Sequence, residues 1–148
     1  MSDVTRRWAL SVITLLAGGL AAVSWMTSST GLGVGLLLVF VVLAWLYSPW
    51  FFPRPVSAAE AARRSQIDGK PIVFWRPGCR YCLRLRIRLR AAARGLHWVD
   101  IWLDQAAAEL VRGYADGNET VPTVLVGGRA YINPDPSWVR RQAASAQR

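Results

Sequence analysis

Charge is missing from the first third of the chain: residues 8 to 53, between Arg7 and Arg54, hold no Asp, Glu, Lys or Arg. Disordered segments are charged and poor in apolar residues, so disorder is excluded there. A purely soluble domain is excluded too, because the uncharged stretch exceeds one bilayer crossing and suits two. Cysteine is almost absent, with only Cys79 and Cys82, too few for a multi-disulfide scaffold or a four-cysteine zinc site. With His97 the one histidine, no bound metal is expected. Acid is also scarce, nine Asp and Glu against eighteen Lys and Arg for a net charge of +9. Asp3, Arg6 and Arg7 are the only charges ahead of Arg54, so nearly all of that excess falls on residues 54–148. No base-stacking aromatics accompany these cations, which excludes nucleic acid as the partner.

Two apolar runs fill the uncharged stretch, Trp8 to Met26 and Gly31 to Tyr47, each long enough to span a bilayer. Thr27-Ser28-Ser29-Thr30 between them reads as the tip of a helical hairpin. Trp8, Trp25, Trp45, Tyr47 and Trp50 sit at the run ends, where amphipathic rings favour the headgroup boundary. Arg6 and Arg7 precede the first run, Arg54, Arg63 and Arg64 follow the second, and the turn has no cation. Residues 1–53 are therefore expected to be a two-helix membrane anchor with both termini cytoplasmic. A rival reading takes Thr5-Arg6-Arg7-Trp8-Ala9-Leu10 as a twin-arginine export signal, which would put the remainder outside the cytoplasm. The second apolar run has no role in such a signal. Gly31 and Gly35 form a small-xxx-small pair that would permit close helix packing.

Residues 54–67 read as a linker and short helix, with Ser57 as N-cap and Glu60 three positions on. The domain expected over 68–148 opens at Asp68-Gly69, a turn, followed by the apolar strand Ile72-Val73-Phe74-Trp75. Arg76-Pro77-Gly78-Cys79-Arg80-Tyr81-Cys82 comes next, then a breaker-free stretch predicted helical from Leu83 to Arg94. A thiolate at a helix start meets unpaired N–H groups and the positive end of the helix dipole. Cys79 is thus the expected nucleophile and Cys82, a turn further in, the resolving thiol. A zinc half-site or two inert buried thiols are the alternatives. Leu85 and Leu89, with Cys82 and Ala92 or Ala93, form the predicted inward stripe, and Arg80, Arg84 and Arg88 an outer one. Arg76 and Arg80 stand close enough to the thiolate to lower its pKa, while the more distal arginines suit either solvent or anionic lipid.

Farther on, His97 to Ile101 suits a strand with His97 at its entry, and Gln105 to Tyr114 a helix capped by Asp104. Pro122 opens the strand Thr123 to Val126 and is no ordinary ladder residue; an edge-strand start is one account of it. Gly127-Gly128 turns into Arg129 to Ile132, and Pro136 to Ala146 reads as a closing helix. Trp75, Trp98, Trp102 and Trp138 are expected as core or groove walls.

This order of elements, with its CxxC and Thr120-Val121-Pro122-Thr123 motifs, resembles the glutaredoxin branch of the thioredoxin superfamily over roughly residues 68 to 146. Cys79-x-Tyr81-Cys82-Leu83-Arg84-Leu85, Val99-Asp100-Ile101, Gly117-Asn118-x-Thr120-Val121-Pro122 and Asn133-Pro134 are most similar to the actinobacterial mycoredoxins. The resemblance implies an α/β thioredoxin/glutaredoxin-like fold, a central mixed four-stranded sheet flanked by helices, here preceded by two transmembrane helices. It implies a cis Pro122 facing the dithiol and leaving the Val121 backbone free for a thiol substrate. By the same resemblance Arg76 takes the place of a cation common in glutaredoxins, and Arg76, Arg80, Tyr81, Thr120, Val121 and Pro122 bind the thiol substrate. It implies a thiol-disulfide oxidoreductase with no bound cofactor, acting with mycothiol as co-substrate on thiolated or disulfide-bearing proteins, some of them in the membrane. Pro77-Gly78 and Arg80 depart from the mycoredoxin pattern, and a cation inside CxxC should make the couple more oxidising. Competing readings are an exported, membrane-tethered dithiol oxidoreductase and a redox-inactive or iron-sulfur-bridging binding module.

Overall fold

The computed structural model describes residues 3–146, so the outer ends of the expected anchor (1–53) and domain (68–148) lie outside the described residues. Two compact units divide after Phe51.

The first unit is a hairpin of α1 (Asp3–Met26) and α2 (Thr30–Tyr47), followed by a 3-10 turn, Pro49–Phe51. Both helices are long and apolar enough to cross a membrane, over Arg7–Met26 and Thr30–Tyr47. The hydroxyls of Thr14 and of Thr27, just past the end of α1, donate to the Leu10 and Ser24 carbonyls of that helix, which satisfies them without water. Trp8 meets Trp50 edge-on at 5.1 Å and Trp45 meets Phe51 at 4.9 Å, gathering four rings at the open end of the hairpin. The glycines at the close approach are Gly18, against the Phe40 side chain, and Gly33, against Met26. Gly31 and Gly35, singled out from the sequence, have open space where a Cβ would stand. Two residues turn a helix by about 200°, so the face that carries Gly33 into α1 carries Gly31 and Gly35 away from it.

The second unit, from Phe52, contains one sheet in the order β2-β1-β3-β4. β1 (Ile72–Trp75) pairs parallel with β2 (His97–Asp100) and antiparallel with β3 (Thr123–Val126), which pairs antiparallel with β4 (Arg129–Ile132). β1 is interior and buried throughout, as its unbroken apolar quartet requires. β3 is interior as well, so an edge start does not account for Pro122, which stands just ahead of the strand. α3 (Ala58–Asp68), α4 (Arg80–Leu89), α5 (Gln105–Tyr114) and α6 (Pro136–Ser145) complete the fold. The domain is thus a mixed four-stranded sheet with flanking helices.

Phe52, read from sequence as part of the 1–53 anchor, and residues read as the 54–67 linker and short helix pack into this domain. Phe52 is buried, stacks on Trp75 with ring centroids 3.9 Å apart, and meets Trp98 at 5.7 Å. The Val56 N–H donates to the Trp98 carbonyl at 2.9 Å, which occupies part of the otherwise open edge of β2. Ser57 accepts from the Glu60 N–H and Gly69, with φ of 67°, ends α3, a conformation natural to glycine. His97 enters β2 with its Nε2 3.1 Å from both Asp68 oxygens. Asp104 does more than cap α5: Oδ1 accepts from the Ala107 N–H at 3.2 Å and Oδ2 from the Ala58 N–H at 2.7 Å. One carboxylate thereby serves the starts of two helices. Asp104→Ala is expected to cost about 2 kcal/mol, the upper end for a lost cap, measured by urea denaturation; a change below about 0.5 kcal/mol would contradict the double role.

α4 is shorter than the breaker-free stretch predicts. It stops at Leu89; Arg90 takes φ of 52°, and Arg90–Gly95 continues as a 3-10 turn. Side chains hold this turn: the Trp98 indole N–H donates to the Ala93 carbonyl at 2.7 Å and Arg86 to the Arg90 carbonyl at 3.2 Å. Cys82, Leu85, Leu89 and Ala93 are buried, whereas Arg80, Arg84 and Arg88 are exposed.

Candidate active site

Cys79 is the N-cap of α4. It follows Gly78, whose φ of 76° turns the chain out of β1, a backbone state glycine adopts without a Cβ penalty. Its Sγ accepts the Cys82 N–H at 3.2 Å, while its carbonyl accepts the Leu83 N–H at 2.9 Å. Both cysteines are free, Cys79 half-buried and Cys82 fully buried.

The two thiols differ in acidity. The Cys82 thiol donates to the Cys79 sulfur, and this bond, aided by the Cys82 and Tyr81 amides and the Arg76 charge, outweighs partial burial and brings Cys79 down to about 7. Burial, then the neighbouring Cys79 thiolate, pushes Cys82 strongly up. A half-buried low-pKa thiolate beside a fully buried protonated thiol is the division of labour of a nucleophile and a resolving group.

Opposite the dithiol lies the segment ahead of β3. The Val121–Pro122 peptide is cis, and the Val121 carbonyl is 3.4 Å from Cys79 Sγ. The Pro122 carbonyl accepts the Asn133 N–H at 2.7 Å and the Thr120 carbonyl accepts the Thr123 hydroxyl at 2.8 Å, fixing this segment to the end of β4 and to its own strand. Thr120 is exposed, Val121 and Pro122 are buried.

The two arginines assigned together from sequence part company. Arg76 acts on both sulfurs, with its guanidinium 5.9 Å from the Trp102 ring centroid and 3.9 Å from the Glu119 carboxylate. Arg80 instead lies over the Tyr81 ring at 4.7 Å and donates to its hydroxyl at 2.8 Å. The charge acting on Cys79 is therefore that of Arg76; a cation at the first variable position of CxxC points outward along the helix and finds the nearest aromatic face. Tyr81 is exposed and forms, with Arg84, Asn133 and Pro134, one wall of a shallow groove beside the helix.

Glu119 was not singled out by sequence reasoning. It accepts from Arg112 at 2.7 Å and faces Arg76, tying α5 and the approach to β3 to the residue that follows β1. Its sequence signal is faint, one acid among neutral residues ahead of Thr120-Val121-Pro122. Arg76→Gln should move the pH midpoint of Cys79 alkylation upward, and with it lower the alkylation rate at pH 7 about two- to threefold. An unchanged midpoint would remove Arg76 from the electrostatics of the site.

The glutaredoxin family model matches residues 72–131, from β1 into β4. Two Mycobacterium tuberculosis proteins, from strains CDC 1551 / Oshkosh and ATCC 25618 / H37Rv, have names that assign them to the glutaredoxins. Each is 43% identical over 63 residues, covering 42% of this chain and 75% of its own length. No solved structure matches significantly. A thiol pair at the start of α4 on a mixed four-stranded sheet agrees with that similarity, and the chain belongs to the glutaredoxin family.

Proposed function

We propose that this protein is a membrane-anchored thiol-disulfide oxidoreductase that uses Cys79 as nucleophile and Cys82 as resolving thiol on mixed disulfides of mycothiol or on protein disulfides. The observation that carries the reading is the position of Cys79 Sγ, on the N-terminal amides of α4 and 3.4 Å from the Val121 carbonyl. The Cys79 thiolate attacks one sulfur of the substrate disulfide, a new S–S bond forms, and the other sulfur leaves with the electron pair as a thiolate that takes a proton. A second small thiol then attacks the mixed disulfide and regenerates reduced Cys79. In the dithiol route Cys82, after losing its proton, performs that attack and the chain is left with a Cys79–Cys82 disulfide.

Arg76, Arg80, Tyr81, Thr120, Val121 and Pro122 supply the substrate surface, with the Val121 backbone positioned to pair with an extended thiol substrate. Mycothiol as the small thiol follows from the resemblance to the mycoredoxins. The apolar hairpin supports anchoring, and arginines flanking both helices but not the turn support a cytoplasmic domain. A reporter fused after Arg148 should be active only in its cytoplasmic form. The substrate assignment is tested with the full chain in micelles, supplied with a protein–mycothiol or a protein–glutathione mixed disulfide. Faster release with mycothiol is expected; equal or faster release with glutathione would overturn the mycothiol assignment.

A further inference from the structure

A groove of about 290 Å³ lies at the starts of β1 and β2, whereas the dithiol follows the end of β1, and it runs between the segment that enters the domain and the approaches to these strands. Arg54, Arg64, Lys70 and Arg94 line it. Two of the four are already matched: Arg64 donates to Glu60 at 2.5 Å and Lys70 stands 3.1 Å from Asp68, which also faces His97. Arg54 and Arg94 are exposed and, among the described residues, make no ion pair or hydrogen bond. The acids near the groove are thus taken up by two of its cations, which leaves an excess of two guanidinium groups. A guanidinium offers paired N–H donors that match a phosphate oxygen edge.

Chain length adds a second constraint. Arg54 follows Tyr47, the last residue of α2, by seven residues, a reach of at most about 25 Å even when fully extended. If α2 spans the bilayer, as the proposed function holds, Arg54 never leaves the neighbourhood of the lipid headgroups, and tethering keeps the local concentration of headgroup phosphate high. We infer that this groove binds the phosphodiester of an anionic lipid headgroup, with Arg54 and Arg94 as its principal ligands. The inference rests on the anchoring reading.

The test is native mass spectrometry of the full chain released from micelles doped with equal phosphatidylglycerol and phosphatidylcholine. Phosphatidylglycerol should be retained preferentially by the wild type, and its retention should fall about tenfold or more in Arg54→Gln/Arg94→Gln. Arg54→Lys/Arg94→Lys, which keeps the charge but not the paired donors, should retain less than the wild type and more than the Gln variant, whereas Arg84→Gln/Arg88→Gln on the outer face of α4 should keep most of the retention. Equal retention of the two lipids, or no loss in the groove variant, would overturn the assignment. Displacement of the lipid by millimolar inorganic phosphate would also overturn it, because the groove would then read free phosphate. Membrane fractionation of cells reports anchoring separately: a chain found in the soluble fraction fails the anchor, while a membrane-bound chain with no lipid preference fails only the groove.

Discussion

Cys79→Ser is expected to abolish turnover, by on the order of 10³-fold or more, as for loss of a nucleophile that no neighbouring group replaces. The only other cysteine, Cys82, is fully buried, and that burial, the largest cause of its raised pKa, persists when the Cys79 thiolate is gone. Serine at 79 would keep the N-cap hydrogen bond to the Cys82 N–H, so the fold should survive and the loss should be chemical. Cys82→Ser is expected to behave differently. A small thiol can still discharge the Cys79 mixed disulfide, so release of mycothiol from a mixed disulfide should persist, whereas reduction that ends in the Cys79–Cys82 disulfide should vanish. Coupled assays with a mixed disulfide and with an intramolecular protein disulfide separate the two routes. Activity retained in Cys79→Ser would reverse the roles assigned to the pair.

The second large effect is one of stability. Phe52→Ala should cost about 3 to 5 kcal/mol, the range for truncating a buried aromatic. Phe52 is 7% exposed and packs on Trp75, which is itself fully buried and stands four residues ahead of Cys79. A loss of that size is a large part of the roughly 5 to 15 kcal/mol that holds an ordinary domain folded. A fragment beginning at Phe52 should therefore fold with greater stability than one beginning at Arg54, which lacks the ring. Urea denaturation followed by tryptophan fluorescence would show this as a lower midpoint at unchanged slope. Equal midpoints for the two fragments would mean that the ring contributes no net packing energy.

Local chemistry explains why much of this structure was legible in the sequence. The Ile72–Trp75 quartet, the Gly127-Gly128 turn, the caps Ser57 and Asp104 and the helix-opening Pro136 each act within a few residues, and the corresponding elements start and stop where those signals stand. The helix-start position of Cys79 was legible for the same reason. Long-range packing was not. Phe52 looks like one more aromatic leaving the membrane, and nothing near it in sequence announces Trp75 and Trp98. The end of α4 at Leu89 depends on an indole N–H from β2 reaching the Ala93 carbonyl, a partner that helix propensity does not see. Arg76 and Arg80 are equivalent as charges in a motif, but Tyr81 claims one and leaves the other to act on the thiols. The tie from Glu119 to Arg76 and Arg112 likewise appears only when three separate elements meet.

The pH dependence follows from the acidity of Cys79. Its reactive form is the thiolate, so the rate of the first sulfur exchange should be low below pH 6, rise through a midpoint near the value of about 7, and level off above it. An unperturbed cysteine would still be rising at pH 8.5. Alkylation of the reduced full chain with iodoacetamide across this range, with the modified residue identified by mass, tests the account most directly. A single midpoint near pH 7 with the label on Cys79 is the predicted result; a midpoint near pH 9, or equal labelling of Cys79 and Cys82, would contradict it.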